Sequence, residues 1–193
     1  MLLRRDVVKA LLAERGDLLV VAGLGSTSWD CTAAGDHPLT FPMWGAMGCA
    51  AMTGLGLALA QPARRVLVVT GDGEMLMGLG SLATIGVQRP ANLSVVVIDN
   101  ERYGETGMQA THTAHGVDLA AMARAACFAS SVLVRDAAGV DALRRVILSA
   151  PGPHFAQVKV AADKAPVVLP PREGTLLKNR FREALLGKSA ALQ

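Results

Sequence analysis

Short, mainly apolar runs alternate along this chain with longer segments in which apolar residues recur at helical spacing. The apolar runs, rich in β-branched residues, predict strands at 18–22, 66–70, 93–99, 131–134 and 155–160. The amphipathic or small-residue segments predict helices at 6–15, 46–60, 76–87, 118–128, 136–149 and 175–186. This alternation predicts an α/β protein.

Strands that are apolar on both faces must be covered on both sides, and alternation with helices makes neighbouring strands parallel. We therefore expect a doubly wound, mainly parallel sheet with helices on both faces. Ligands of such folds lie beyond the carboxyl ends of the strands. Three loops with unusual chemistry leave those ends: GLGSTS at 23–28, GDGE at 71–74 and DNERYGETG at 99–107. These loops are the predicted site.

Length and composition limit the other possibilities. A chain of 193 residues with 51% hydrophobic and 18% charged residues fits one folded domain, at 1–162, followed by a Pro-rich connector and C-terminal helix at 163–193. The net charge of +3 is scattered, so nucleic acid is not an expected partner.

Membrane insertion and export are also not expected. Residues 38–63 carry no charge, but prolines and glycines interrupt them, so we expect a buried helix there rather than a membrane span. The start of the chain lacks a signal-peptide core, and three cysteines without CxxC spacing fit a reducing compartment. We therefore expect a cytoplasmic protein.

The GDGE loop has the composition of a site for a cation and phosphates. Gly71 and Gly73 flank Asp72 between a buried strand and a helix, where free N–H groups can bind an anion. A carboxylate at that position is compatible with phosphate if Mg²⁺ lies between them. Asn100 ends the next strand and should emerge at the same edge of the sheet. For the GDG motif alone, the alternative is a helix cap formed by Asp72.

With GDGE at 71–74 and DN at 99–100, the sequence resembles the diphosphate-binding domain of thiamine diphosphate-dependent enzymes. The resemblance covers residues from about 18 to 160 and implies the thiamine diphosphate-binding fold. The segments at 41–60, 77–86 and 103–111 are most similar to sulfopyruvate and phosphonopyruvate decarboxylases.

The resemblance implies a magnesium site and a cofactor site. Asp72, the side chain of Asn100 and the backbone carbonyl of Arg102 would bind Mg²⁺. Met47 would support the bent cofactor, and the Gly45 carbonyl would accept a hydrogen bond from its aminopyrimidine. The residues implied to contact thiamine diphosphate are Gly25, Ser26, Thr27, Gly45, Met47, Gly71, Gly73, Glu74, Asn100 and Tyr103.

The sequence departs from the family because no second, pyrimidine-binding domain fits in its 193 residues. In the family that domain supplies a glutamate that activates the cofactor. The resemblance therefore implies a partner, an α subunit that provides the catalytic glutamate, within a higher hetero-oligomer. The implied reaction is decarboxylation of a small 2-oxo acid such as 3-sulfopyruvate or 3-phosphonopyruvate.

The resemblance assigns no catalytic residue to this chain with certainty. Substrate-side candidates follow the metal loop: Glu105, Thr106, Gln109 and His112, with Thr111 and His115 nearby. The two histidines also raise a zinc site as an alternative, against an ordinary solvated loop. At the level of function the alternatives are an acetolactate synthase-like carboligase, a 2-oxoacid oxidoreductase subunit, and a non-catalytic cofactor-binding or assembly module. The absence of a cysteine cluster argues against iron–sulfur electron transfer.

Overall fold

A six-stranded parallel sheet is the centre of the computed structural model, which describes residues 1–188. The strands are β1 (Leu19–Ala22), β2 (Thr40–Pro42), β3 (Val66–Gly71), β4 (Leu93–Asp99), β5 (Arg102–Tyr103), β6 (Gln109–Ala110), β7 (Ser130–Val134) and β8 (His154–Lys159). The large sheet has the order β2-β1-β3-β4-β8-β7 with every neighbouring pair parallel. Strands β5 and β6 form a separate antiparallel pair.

Helices cover both faces of the sheet. They are α1 (Arg4–Leu11), α2 (Ser26–Ala33), α3 (Ala50–Ala60), α4 (Asp72–Met77), α5 (Ser81–Gln88), α6 (Leu119–Ala125), α7 (Ala137–Ser149) and α8 (Gly174–Leu186). Single 3₁₀ turns lie at Gly104–Thr106 and His112–His115. The predicted doubly wound α/β fold is confirmed.

Alternation along the strands divides the core into two layers. In β4, Val95 and Val97 pack in the cluster that includes residues of α3, α5 and α6. Val96 and Ile98 pack on the opposite face, in the cluster that includes residues of α1 and α7. Because both faces of β4 are buried, this strand is apolar throughout except at Ser94 and at its last residue, Asp99.

Besides missing the short β5–β6 hairpin and ending the first helix at 15 rather than at Leu11, the prediction was wrong in four places. The sequence indicated neither β2 nor α2, and the second half of the GLGSTS loop is the first turn of α2. Strand β2 has three residues including a proline, which is tolerated because β2 is an edge strand.

The other two differences concern helices that glycine-containing turns shorten or divide. The helix predicted at 46–60 begins only at Ala50, since Ala46 and Gly48 have positive φ. The helix predicted at 76–87 is divided into α4 and α5, and a side chain on Gly78 would overlap the Gly48 backbone. Close backbone approach, which local periodicity does not show, therefore sets these boundaries.

The segment after β8 returns to the opposite edge of the sheet. Residues 161–173 contain no helix or strand, and α8 then packs on β2, where the rings of Phe41 and Phe181 are 5.6 Å apart. The domain division at 162/163 stays a prediction, and residues 189–193 of the predicted tail lie outside the described residues. Among residues 1–188, no helix combines the length and apolarity that crossing a bilayer requires.

Candidate cofactor and metal site

A cleft of about 190 Å³ opens at the carboxyl ends of β1, β3 and β4. It brings together most of the residues predicted for cofactor and metal. Those in its lining are Ser26, Thr27, Met47, Gly71, Asp72, Gly73, Glu74, Asn100, Arg102 and Tyr103. The three loops that the sequence placed at one sheet edge therefore form one concave site.

Two predicted cofactor residues lie outside the lining of this cleft. Gly25 adjoins it as the residue before α2, with φ +65°. Gly45 is exposed in the segment before α3. Met47, in the same segment, lines the cleft but keeps 36% of its surface exposed. The segment that the prediction assigned to the cofactor rings is therefore the open side of the site.

The carboxylate of Asp72 is deeply buried at the cleft. Its residue exposure is 2%, and no lysine, arginine or histidine among residues 1–188 forms an ion pair with it. Burial raises the pKa of Asp72 to about 6; the Thr111 hydroxyl opposes this rise and the charge of Asp99 adds to it. A bound cation would compensate this charge, so the carboxylate fits a metal ligand.

Asn100 and Arg102 complete the predicted donor set on the β4 side of the cleft. The Asn100 side-chain oxygen accepts a hydrogen bond from the Arg102 backbone N–H at 3.0 Å, which closes a tight turn directly after β4. This turn holds both residues in the lining of the cleft that Asp72 also lines. Carboxylate, amide and carbonyl oxygens are the hard ligands that Mg²⁺ prefers.

In residues 1–188 there is no group of three or more His, Cys, Asp or Glu side chains that could hold a metal. His112 and His115 lie exposed in a 3₁₀ turn outside the cleft lining. A metal site in the described part of the chain would therefore depend on oxygen donors of mixed type, as at Asp72.

The side chain of Glu74 connects two of the loops, a role that the sequence did not indicate. Its Oε2 accepts hydrogen bonds from the Thr70 hydroxyl at 2.8 Å and the Leu24 backbone N–H at 3.2 Å. A side chain on Gly23 would overlap this carboxylate. Glu74 thus ties the loop after β1 to the loop after β3.

The other Glu74 oxygen, Oε1, is buried and reaches no donor with hydrogen-bonding geometry. Burial raises the pKa of Glu74, against the opposing effect of the Thr70 hydroxyl and of nearby backbone N–H groups, which include those of Gly48 and Ala50. The carboxylate therefore faces the segment that carries Met47 as well as the loop at Leu24.

The position of the Tyr103 ring explains why the residue after Asp72 is a glycine. A side chain on Gly73 would lie 2.5 Å from the Tyr103 ring, so the ring packs directly on the backbone at the start of α4. Both residues line the cleft. Only glycine allows this approach without displacing the hairpin that carries Tyr103.

The substrate-side candidates separate into two groups. Glu105 and Thr106 line the cleft, and a side chain on Gly25 would lie 2.7 Å from a Glu105 carboxylate oxygen. Glu105 therefore lies against the loop predicted to hold the diphosphate. Gln109 and His112 are exposed and outside the lining, and Gln109 exchanges two hydrogen bonds of 2.8 Å with Thr106.

Comparison with known proteins relates this arrangement to one family. The model of the thiamine pyrophosphate enzyme C-terminal TPP-binding domain matches residues 25–165. Sulfopyruvate decarboxylase subunit beta of Methanothermobacter thermautotrophicus is 37% identical over 187 residues, which cover 97% of each protein. Phosphonopyruvate decarboxylase of Streptomyces viridochromogenes is 48% identical over 125 residues, which are 64% of this chain and 31% of that enzyme.

Solved structures support the fold. The crystal structure of benzoylformate decarboxylase from Polynucleobacter necessarius superposes with a TM-score of 0.70 at 19% sequence identity. The match covers 84% of this chain and 34% of that chain. This chain thus corresponds to about a third of the length of that enzyme, and to nearly the whole of the archaeal beta subunit.

Proposed function

Because the chain belongs to the thiamine pyrophosphate enzyme family, whose C-terminal TPP-binding domain it carries, we propose that it is the cofactor-binding subunit of a heteromeric 2-oxoacid decarboxylase. The proposed cofactors are thiamine diphosphate and Mg²⁺. The proposed substrates are small 2-oxo acids with a distal anionic group, 3-sulfopyruvate or 3-phosphonopyruvate, by similarity to relatives named for these acids.

The cofactor proposal is supported by the buried carboxylate of Asp72, which has no cationic partner among residues 1–188 and shares a cleft with Asn100 and Arg102. In the proposed site Asp72, Asn100 and Arg102 would hold Mg²⁺ by a carboxylate, an amide oxygen and a backbone carbonyl. The charges of Asp72 and of the diphosphate would then be compensated.

Backbone N–H groups would hold the diphosphate itself. We assign this role to Gly73 and Glu74 at the start of α4 and to Ser26 and Thr27 at the start of α2, because all four line the cleft and Gly25 adjoins it. The Glu74 side chain fixes these two loops relative to each other by accepting hydrogen bonds from Thr70 and Leu24. Rigid placement of donors lowers the cost of ordering the anion.

Thiamine diphosphate, when bound, supplies the electron sink that decarboxylation of a 2-oxo acid requires. This chain contributes binding and orientation at the diphosphate end of the site. Met47 offers a flexible thioether on the open side, where it can pack against the cofactor rings, and the Gly45 carbonyl can accept from the aminopyrimidine. Both assignments follow the family resemblance.

The open side of the cleft supports the proposal of a second subunit. Met47, which lines the cleft, keeps 36% of its surface exposed, and Trp44, three residues earlier in the chain, keeps 44%. We propose that a pyrimidine-binding α subunit covers them and supplies the catalytic glutamate. The full-length similarity to a protein named a beta subunit supports a division between two chains.

Native mass spectrometry of the complex purified from its own source, with Mg²⁺ in every buffer, tests this proposal. The expected result is a second subunit together with the mass of thiamine diphosphate. An oligomer of this chain alone that carries no cofactor would contradict it.

Replacing Glu105 with glutamine tests whether this residue lies near the diphosphate or acts on the substrate. Its carboxylate lies against Gly25, so its negative charge should oppose the diphosphate. We expect Glu105→Gln to tighten thiamine diphosphate binding by roughly 2- to 10-fold, since one nearby like charge is worth about 1 kcal/mol at high dielectric. Titration with the cofactor at fixed Mg²⁺ measures this change.

A different result would contradict this placement of Glu105. Unchanged cofactor affinity combined with a fall in kcat would indicate that Glu105 acts on the substrate rather than near the diphosphate. Glu14→Gln is the matched control, because Glu14 pairs with Arg144 and does not line the cleft. It should change neither value.

A further inference from the structure

Two buried threonines lie between the proposed metal ligand and a second buried carboxylate. Thr111 and Thr113 are 0% and 5% exposed, and the carboxylates of Asp72 and Asp99 are equally buried, at 2% and 0%. The Thr111 hydroxyl is 2.5 Å from Asp72 Oδ2. The Thr113 hydroxyl is 2.8 Å from Asp99 Oδ1 and 3.2 Å from Asp72 Oδ2. The two hydroxyls are 3.0 Å apart.

The number of protons limits how these contacts are used. Each threonine hydroxyl has one proton to donate. Thr111 makes its shortest contact with Asp72, so its proton is assigned to that carboxylate. Thr113 can donate to only one carboxylate at a time, and Asp99 is the nearer acceptor. Thr111 therefore restrains Asp72 by a hydrogen bond, and Thr113 lies between the two carboxylates and donates to Asp99.

Asp99, at one end of this network, is held by three donors besides Thr113. It accepts from the Gln157 side chain at 2.6 Å, from Lys159 Nζ at 2.9 Å and from the Glu101 backbone N–H at 3.0 Å. Lys159 also neutralises its charge. No cationic side chain among residues 1–188 pairs with Asp72, so its negative charge is available to a metal ion, whereas the charge of Asp99 is already compensated.

The threonines also distinguish the two oxygens of Asp72. Both hydroxyls approach Oδ2, and no side chain among residues 1–188 hydrogen-bonds Oδ1. Asp72 lines the cleft beside Asn100. We propose that Thr111, supported by Thr113, is a positioning residue of the cation site. Its hydrogen bond restrains Asp72 through Oδ2 and leaves Oδ1 for the metal. The inference rests on the proposed function.

Metal affinity is the property that a positioning role changes and a purely structural role does not. Groups that orient a metal ligand typically contribute 10- to 100-fold to metal affinity. We expect Thr111→Val, which keeps shape and loses the hydroxyl, to weaken Mn²⁺ binding by roughly 10-fold or more. Thr111→Ser keeps the hydroxyl, so it should stay within about 3-fold of wild type.

The probe is Mn²⁺, followed by electron paramagnetic resonance in the presence of thiamine diphosphate. The full chain is expressed in its source organism and purified with the subunits that accompany it. Thr40→Val is the matched control, because Thr40 is also buried and bonds Arg15 at 2.6 Å, on β2 away from the cleft. This control should lose stability and keep Mn²⁺ affinity.

Each outcome has a separate meaning. If wild type binds Mn²⁺ with the cofactor and folded Thr111→Val binds it equally well, the positioning role is overturned. If wild type itself binds no Mn²⁺ with the cofactor, the proposed function fails, and the inference fails with it. If Thr111→Val does not fold, Thr113→Val replaces it, and we expect weaker Mn²⁺ binding that Thr113→Ser restores. Unchanged affinity in folded Thr113→Val would then overturn the proposal.

Discussion

Replacing Asp72 with asparagine is expected to abolish Mg²⁺-dependent binding of thiamine diphosphate while the chain remains folded. Asparagine keeps the shape and one oxygen but removes the charge that the metal ion requires. We expect at least about a 100-fold loss of cofactor affinity in Mg²⁺, equivalent to roughly 2.7 kcal/mol of binding free energy. Calorimetric titration of the two-subunit complex with the cofactor, with and without Mg²⁺, measures this loss.

Retention of the fold follows from the electrostatics of the metal-free site. Burial raises the pKa of Asp72 to about 6 from an ordinary 3.8. A carboxyl group with a raised folded-state pKa opposes folding when it is ionised, so stability falls as pH rises from about 4 to about 6. Neutral asparagine avoids this cost, and the melting temperature of the metal-free variant at pH 7 should equal or exceed that of wild type.

Asp118→Asn is the control for loss of a negative charge alone. Asp118 caps α6 by accepting from the Ala121 backbone N–H and lies exposed, outside the cleft lining. It should leave cofactor binding unchanged. Cofactor affinity of Asp72→Asn within about 3-fold of wild type in Mg²⁺ would remove Asp72 from the metal site.

The chain without its partner is expected to decarboxylate 3-sulfopyruvate or 3-phosphonopyruvate at less than about 1% of the rate of the complex. The reason is that the proposed catalytic glutamate belongs to the partner, and general acid–base groups typically contribute 10²- to 10⁴-fold to rate. Release of carbon dioxide and mass spectrometry of the product measure the reaction. The expected product is the aldehyde that is one carbon shorter than the acid.

Two results would contradict this second prediction. Turnover by the isolated chain at the rate of the complex would show that the active site is complete without a partner. Acyloin products from the complex would instead support the carboligase alternative. A complex containing Asp72→Asn is the negative control and should release no carbon dioxide above background.

Local patterns were sufficient for most of the sheet and insufficient for the elements at its edge. The strands at 66–70 and 93–99 were predicted nearly to the residue, because burial on both faces favours a nearly continuous apolar run. Strand β2 has three residues and pairs with one neighbour, so it has no comparable pattern. Helix α2 begins inside a glycine-rich loop and buries threonine, serine and aspartate, so its periodicity is weak.

The candidate site, too, could be predicted only in part from local patterns. Asp72 and Asn100 were predicted together because each follows a buried parallel strand, and the carboxyl ends of neighbouring parallel strands share one edge. The metal motif therefore required only the order of strands and loops along the chain.

Other parts of the site depend on contacts between loops that are distant in sequence. Glu74 bonds Leu24, and Thr111 bonds Asp72, across separations that no local periodicity records. Such bonds form only after the sheet has brought its loops together, because their partners are set by packing rather than by spacing. The chain order accounts for which residues reach the cleft, and the folded contacts account for how Asp72 is oriented there.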